Sequence, residues 1–224
     1  MSLSALYPTL LGEKNGARPL ITYYDTTGRI ELSYTSTRNW VSKSANFLTD
    51  LNNEPRSISF DLSNHWLSVV WLLTASALNL EIVQLSTEIH VSDAGAPTTS
   101  ALNIRSPRDL WGRAAGGTSE EIDFAREVLT FPDFFQSENH TKAVATGKQV
   151  RKLFNSTGAD FDLYAEVILD GGSLVLVNGP TEIDSINRAE RVDYAVAVSR
   201  ATAASIRSSV AVSAARTKFF PRTP

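Results

Sequence analysis

No cysteine occurs in these 224 residues, which excludes a disulfide framework, a thiolate metal site and a cysteine nucleophile. Histidine is scarce too. His65, His90 and His140 are the only three, and no HxH, HxxE or HExxH spacing joins them to each other or to carboxylates. A Gly-x-Ser-x-Gly elbow is missing, so a hydrolase triad has no nucleophile to build on. Long apolar runs are missing as well. The longest, WLSVVWLLTASALNL from Trp66 to Leu80, is short of the roughly 20 residues of a bilayer span and contains serine and threonine. The opening MSLSALYPTLLGEKNG has no basic leader, long apolar block or small-residue cleavage site, so a cytoplasmic protein without a membrane span is expected. In that compartment the sequons at Asn139 and Asn155 are chance matches.

What is present suits a globular domain: 42% hydrophobic and 20% charged residues support a substantial core. The net charge of −3 is unevenly placed. From Tyr194 onward there are five bases (Arg200, Arg207, Arg216, Lys218, Arg222) and no acid, leaving −8 on the rest. A basic tail can meet nucleic acid or an acidic surface, but these charges are thinly spread among alanine and serine without aromatic interleaving. A solvated or docked helix is expected there, and nucleic-acid binding is disfavoured.

The pattern of elements predicts a single α/β domain over residues 1–224, closing with an Ala/Ser-rich helix and basic tail over 197–224. Leucines at 3, 6, 10 and 11 suggest a short opening helix. LITYYD and RIELSYT flank a Thr26-Thr27-Gly28 turn and read as a hairpin. Thr35 or Ser36 can cap a helix whose stripe runs through Trp40, Val41, Ser44, Ala45, Phe47, Leu48 and Leu51. SISFDL reads as a strand, Asn64 as the cap of an apolar helix ending near Leu78, and EIVQL as the next strand. Helices are also predicted over 119–129, in VATGKQVRKLF, in DFDLYAEVIL and in PTEIDSINRAE, with Pro180 in the first turn of the last. SLVLV and RVDYAVAV are expected strands, and 93–113 a loop.

The stretch AAGGTSEEID, residues 114 to 123, resembles a phosphate loop, yet it has no lysine and places Glu120 and Glu121 at the site of an anion. At ~4 Å and an effective dielectric of ~20, such repulsion is about 4 kcal/mol, which outweighs a helix-dipole gain of roughly 0.3–1 kcal/mol. Thr118 and Glu121 read instead as a capping box. His65 is expected in an ordinary hydrogen-bonded role in a first helical turn. His90 is expected at a sheet edge, where Asp93 could orient it, and His140 on the surface. Gly171-Gly172 precede a strand, the wrong side for a dinucleotide fingerprint, and suggest a tight turn. Phe131, Pro132, Phe134 and Phe135 form a cluster expected to pack back on the domain, and Trp66 and Trp71 are expected core anchors.

Three blocks carry a family resemblance: LITYYDTTGRIELSYTSTRNWVSKSANFLTDL, RSISFDLSNHWLSVVWLLTASALNLEIVQL and AEVILDGGSLVLVNGPTEIDSINRAERVDYAV. In order and pattern they resemble the N-terminal region of the acyl-adenylate-forming enzymes, over roughly residues 20 to 196. More closely, the chain resembles a family of short proteins that keep only this part of the fold. The resemblance implies a layered sheet flanked by helices, like part of the N-terminal domain of acetyl-CoA synthetase-like enzymes. It also exposes departures. Where those enzymes carry a Gly-rich loop ending in Pro-Lys-Gly, this chain has QSENHTKA, with no glycine or proline. Near ADFDLYAEV, Phe161 and Tyr164 match the acyl-pocket segment, but no histidine does and Asp162 is out of character. The acidic ribose and magnesium residues and the C-terminal domain with its catalytic lysine have no counterpart.

The resemblance therefore implies a non-catalytic relative: no catalytic, cofactor-binding or metal residues, no cofactor, and a role in binding or protein interaction, with a homodimer or another protein as partner. The alternative is a ligase fragment that binds an acyl group or adenosine nucleotide and borrows the rest of its machinery from a partner chain. A third reading, nucleic-acid contact through residues 194–224, is weaker.

Overall fold

The computed structural model describes residues 3–52, 54–84, 87–93, 98–113, 120–136, 143–145, 147–179 and 182–198. Thr118, His140, Pro180, the Asn139 sequon, most of QSENHTKA and the tail from 199 onward lie outside the described residues.

Among the described residues, ten strands form two five-stranded sheets. The first, sheet A, contains β1 (Pro19–Asp25), β2 (Gly28–Ser33), β8 (Arg151–Ser156), β9 (Ser173–Val177) and β10 (Tyr194–Val198) in the order β10-β8-β9-β1-β2. Its strands are parallel except for the β1–β2 hairpin, in which Asp25 pairs with Gly28. Sheet B contains β3 (Ser57–Asp61), β4 (Glu81–Ile82), β5 (Ile89–Ser92), β6 (Leu102–Arg105) and β7 (Ile122–Asp123), in the order β4-β3-β5-β6-β7, all parallel. Parallel strands need long crossovers, and helices supply several of them. The helices are α1 (Leu6–Gly12), α2 (Tyr34–Leu51), α3 (Trp66–Ala77), α4 (Phe124–Glu127), α5 (Phe161–Leu169) and α6 (Ile183–Ala189).

Every residue of α3 is buried, as its all-round apolarity requires, and it packs on α1, α2, α5 and β1. Trp66 and Trp71 anchor it, with Trp40 edge-on to Trp66 at 5.1 Å and Phe124 at 4.5 Å from Trp71. The main apolar cluster draws on both sheets, from Leu20 and Leu174 in one to Ile58 and Ile104 in the other. Among the described residues no helix is long and apolar enough to cross a membrane.

Several expectations need correction. VATGKQVRKLF is not a helix, since its second half is β8. Val150, Leu153 and Phe154 have helical spacing, but Leu153 and Phe154 are consecutive and both buried because the strand is covered on both faces. The expected loop over 93–113 contains β6, and EIVQL contributes only Glu81 and Ile82 to a strand. Helix α2 begins earlier than predicted, capped by Ser33, whose hydroxyl accepts from Ser36 N. The helix expected over 119–129 starts at Phe124, capped by Asp123, and passes into a 3-10 turn at Val128. Thr118, the cap of the expected Thr118–Glu121 capping box, lies outside the described residues. The Glu121 side chain pairs with Arg105 at 2.8 Å and is 1% exposed. At the far end, Ala197 and Val198 continue β10 and do not open a helix.

Candidate functional site

Open α/β sheets take ligands in the crevice beyond the carboxyl ends of their strands. Here the carboxyl ends of β1, β8 and β9 meet those of β3, β5 and β6 around one tripeptide, Ser63-Asn64-His65, between β3 and α3.

Asn64 is fully buried. Its Nδ2 donates to the Phe154 carbonyl at 3.0 Å and the Val177 carbonyl at 2.9 Å, and its Oδ1 accepts the Tyr164 hydroxyl. The preference of asparagine for caps suggested that it starts α3, but these three distant partners take its side chain. His65 caps the helix instead, its Nδ1 accepting from Leu67 N at 3.2 Å. The other ring nitrogen, Nε2, lies 3.1 Å from the Asp109 carbonyl and donates to it. That arrangement requires the neutral Nε2–H tautomer, because a proton on Nδ1 would oppose the Leu67 N–H. Burial pushes the His65 pKa down to about 4, against the opposing pull of the Asp109 carbonyl and nearby carboxylates. Tyr23 stacks edge-on against the ring at 4.6 Å. Burial first, then the charge of Asp25, raises the Tyr23 phenol above its usual range.

Ser63 donates both its backbone N–H, at 2.7 Å, and its hydroxyl to one Asp93 oxygen. The second oxygen takes Arg108 Nε at 3.1 Å. Asp93 therefore belongs to this crevice and does not orient His90. The Nδ1 of His90 meets Ser59 Oγ at 2.8 Å, and β5 is the middle strand of its sheet, so the expected edge position is also corrected. Burial lowers the His90 pKa.

A second polar group lies on sheet A. Glu190, the C-cap of α6, accepts from Tyr24 and Arg29 on one oxygen and from Arg151 on the other, at 2.6, 2.8 and 2.5 Å. Burial works against its charge, but the bonds from Arg29, Tyr24 and Arg151 outweigh that and hold the carboxyl down at about 2.

The remaining residues singled out in the sequence are scattered. Phe161 stacks on Phe60 at 4.9 Å, Tyr164 is the partner of Asn64, and Asp162 is exposed in the first turn of α5. Gly171 has φ +75° and makes the tight turn into β9 that was expected. Phe131 packs on Phe47 at 5.8 Å and Asn46 holds the carbonyls of Pro132 and Phe134, although the Phe134 ring is exposed. Among the described residues no group of three His, Asp or Glu could hold a metal ion.

No family model matches the chain. A TIGR03089 family protein of Mycobacterium tuberculosis is 31% identical over 176 residues, spanning 71% of this chain and 72% of that protein. The acetoacetyl-CoA synthetase from Streptomyces lividans superposes with a TM-score of 0.66 at 13% identity, covering 88% of this chain and 42% of its own. An acyl-CoA synthetase of Brucella canis gives 0.61 at 12% identity, covering 86% and 47%. The amide bond synthetase McbA from Marinactinospora thermotolerans gives 0.58 at 14% identity, covering 87% and 48%. The chain spans about half the length of these solved chains, and at such identities the likeness is one of fold. That fold is the layered α/β arrangement the resemblance implied.

Proposed function

The chain belongs to the TIGR03089 family, and from that premise we propose that it is a non-catalytic relative of the AMP-forming acyl-adenylating enzymes, working as a binding or protein-interaction module. The observation that carries the reading is how the crevice spends its polar groups. Asn64 commits both amide hydrogens and its oxygen, His65 commits both ring nitrogens in the neutral state, and Asp93 commits both oxygens. A general base needs a free lone pair at the reacting proton. Here the lone pairs of Asn64, His65 and Asp93 are taken by Tyr164, Leu67 N, Ser63 and Arg108, and the Asn64 amide hydrogens tie the loop to sheet A.

The reading is tested by ATP–pyrophosphate exchange with a panel of carboxylic acids, together with calorimetric titration of ATP, AMP and acyl-adenylates with and without magnesium. Neither exchange nor magnesium-dependent binding is expected. The alternative, a ligase fragment that binds an acyl group or adenosine and needs a partner chain, draws on the likeness to synthetases and predicts micromolar, magnesium-dependent binding. The interaction proposed first is with a second copy, since cyclic dimers are the commonest assemblies. Light scattering that shows a strict monomer throughout the micromolar range would remove that part.

A further inference from the structure

A cleft of about 270 Å³ opens at the opposite end of sheet A, where α1 ends, α2 begins and the chain turns from α5 into β9. Its walls are organised by Arg18. One guanidinium nitrogen donates to Glu13 Oε2 at 2.6 Å, to the Tyr34 hydroxyl at 2.9 Å and to the Gly171 carbonyl at 2.9 Å. The other reaches Gln149 Oε1 at 3.4 Å, and the group sits 4.7 Å from the Tyr34 ring centre. All four of these partners line the cleft.

The hydrogen-bond inventory of the lining is lopsided. Its carboxylate, carboxamide and Gly171 carbonyl acceptors are taken: Glu13 receives Asn15 N on one oxygen and Arg18 on the other, and Arg18 also occupies the Gly171 and Gln149 oxygens. Tyr34 gives its proton to the Gly172 carbonyl. Two donors are unspent. Lys14 and Gln149, both exposed, line the cleft, and neither the Lys14 ammonium nor the Gln149 amide nitrogen has a partner among the described residues. Arg18 neutralises Glu13, so the charge left over is that of Lys14. Val144 and Ala145 supply an apolar wall beside it, and Val144 is 77% exposed. Unspent donors, one net positive charge and an apolar wall are what an oxyanion on a small hydrocarbon body requires.

We propose that this cleft is a receptor for a compact organic anion, its charged head on Lys14 Nζ and Gln149 Nε2 and its apolar body against Val144 and Ala145. The site is separate from the crevice at the carboxyl ends and does not depend on how that crevice functions.

The experiment is a titration of the full chain by amide NMR at neutral pH, using phenyl phosphate and benzoate as the two head groups and inorganic phosphate as the control without a body. Saturable shifts confined to the segments around Lys14, Tyr34, Gln149 and Gly171 are expected with one or both organic anions, and weaker binding with inorganic phosphate. Lys14→Gln, at an exposed position that leaves the fold intact, is expected to weaken binding about tenfold or more, and Gln149→Leu by a smaller factor. Absence of saturation at millimolar concentration with both organic probes would overturn the proposal. So would shifts centred elsewhere, equal binding by inorganic phosphate, or a Lys14→Gln variant that binds like the parent.

Discussion

The Tyr164 hydroxyl donates to the Asn64 carboxamide oxygen, joining α5 to the loop that leaves sheet B. Through its amide hydrogens the same asparagine holds the carboxyl ends of β8 and β9. Replacing it with alanine strands two carbonyls and a hydroxyl in the interior, each worth about 1–3 kcal/mol when unsatisfied. Asn64→Ala is therefore expected to lose about 3–5 kcal/mol in urea unfolding and Tyr164→Phe about 1–2 kcal/mol, with a non-additive double variant. An Asn64→Ala protein within about 0.5 kcal/mol of the parent would show that the staple is dispensable.

His65 makes stability depend on pH. The unfolded chain protonates it near its ordinary 6.5, whereas the folded chain resists until about 4. Between those values the unfolded state binds more protons, so this contribution is complete above 6.5, declines as pH falls and is gone by about 4. The full loss amounts to about 3 kcal/mol. His65→Asn keeps an oxygen for the Leu67 N–H and removes the titration. Urea midpoints from pH 7.5 down to 4 are expected to fall steeply for the parent and to be flatter for the variant, and equal slopes would refute this.

Glu190 acts in a lower window. Its folded pKa of about 2 lies below the ordinary 4.5, so its contribution is present above 4.5 and is lost as pH falls through 2. Glu190→Gln deprives Arg151 of its carboxylate, while Arg29 retains Glu31. About 2–3 kcal/mol should be lost at neutral pH, because removing one partner leaves a poorly solvated charge behind. The difference from the parent should shrink toward pH 2, which denaturant titrations at the two pH values can measure.

How much of this was readable from the chain follows from the range of each interaction. The hairpin was legible because Thr26-Thr27-Gly28 is a local turn signal between β-prone runs, and α3 because its apolarity is continuous. β8 was not, since a strand buried on both faces loses its alternation and Val150, Leu153 and Phe154 then mimic a helix. Asn64 misled for a different reason: cap preference weighs only neighbours, whereas Phe154, Tyr164 and Val177 lie 90 to 113 residues away. The cleft joins Glu13, Tyr34, Gln149 and Gly171 from separate segments, and no local signal connects them.

Glu121 and Asp123 separate the two accounts of the segment before α4. In a capping box, Glu121 would be an exposed first-turn residue, and its loss would matter by a few tenths of a kcal/mol. In the structure its side chain is 1% exposed and paired at 2.8 Å with that of Arg105, which is 13% exposed. Breaking such a pair from one side leaves the arginine's charge desolvated and without that carboxylate, at a cost of about 3–5 kcal/mol. Asp123 is the residue whose oxygen accepts from Ala125 N, at 3.1 Å, so Asp123→Ala should cost about 1 kcal/mol, the usual worth of a cap. The expected order in thermal and urea unfolding is thus Glu121→Gln well below Asp123→Ala, which lies slightly below the parent. The reverse order would return the glutamate to the surface and detach β7 from the ion pair that fixes it beside β6.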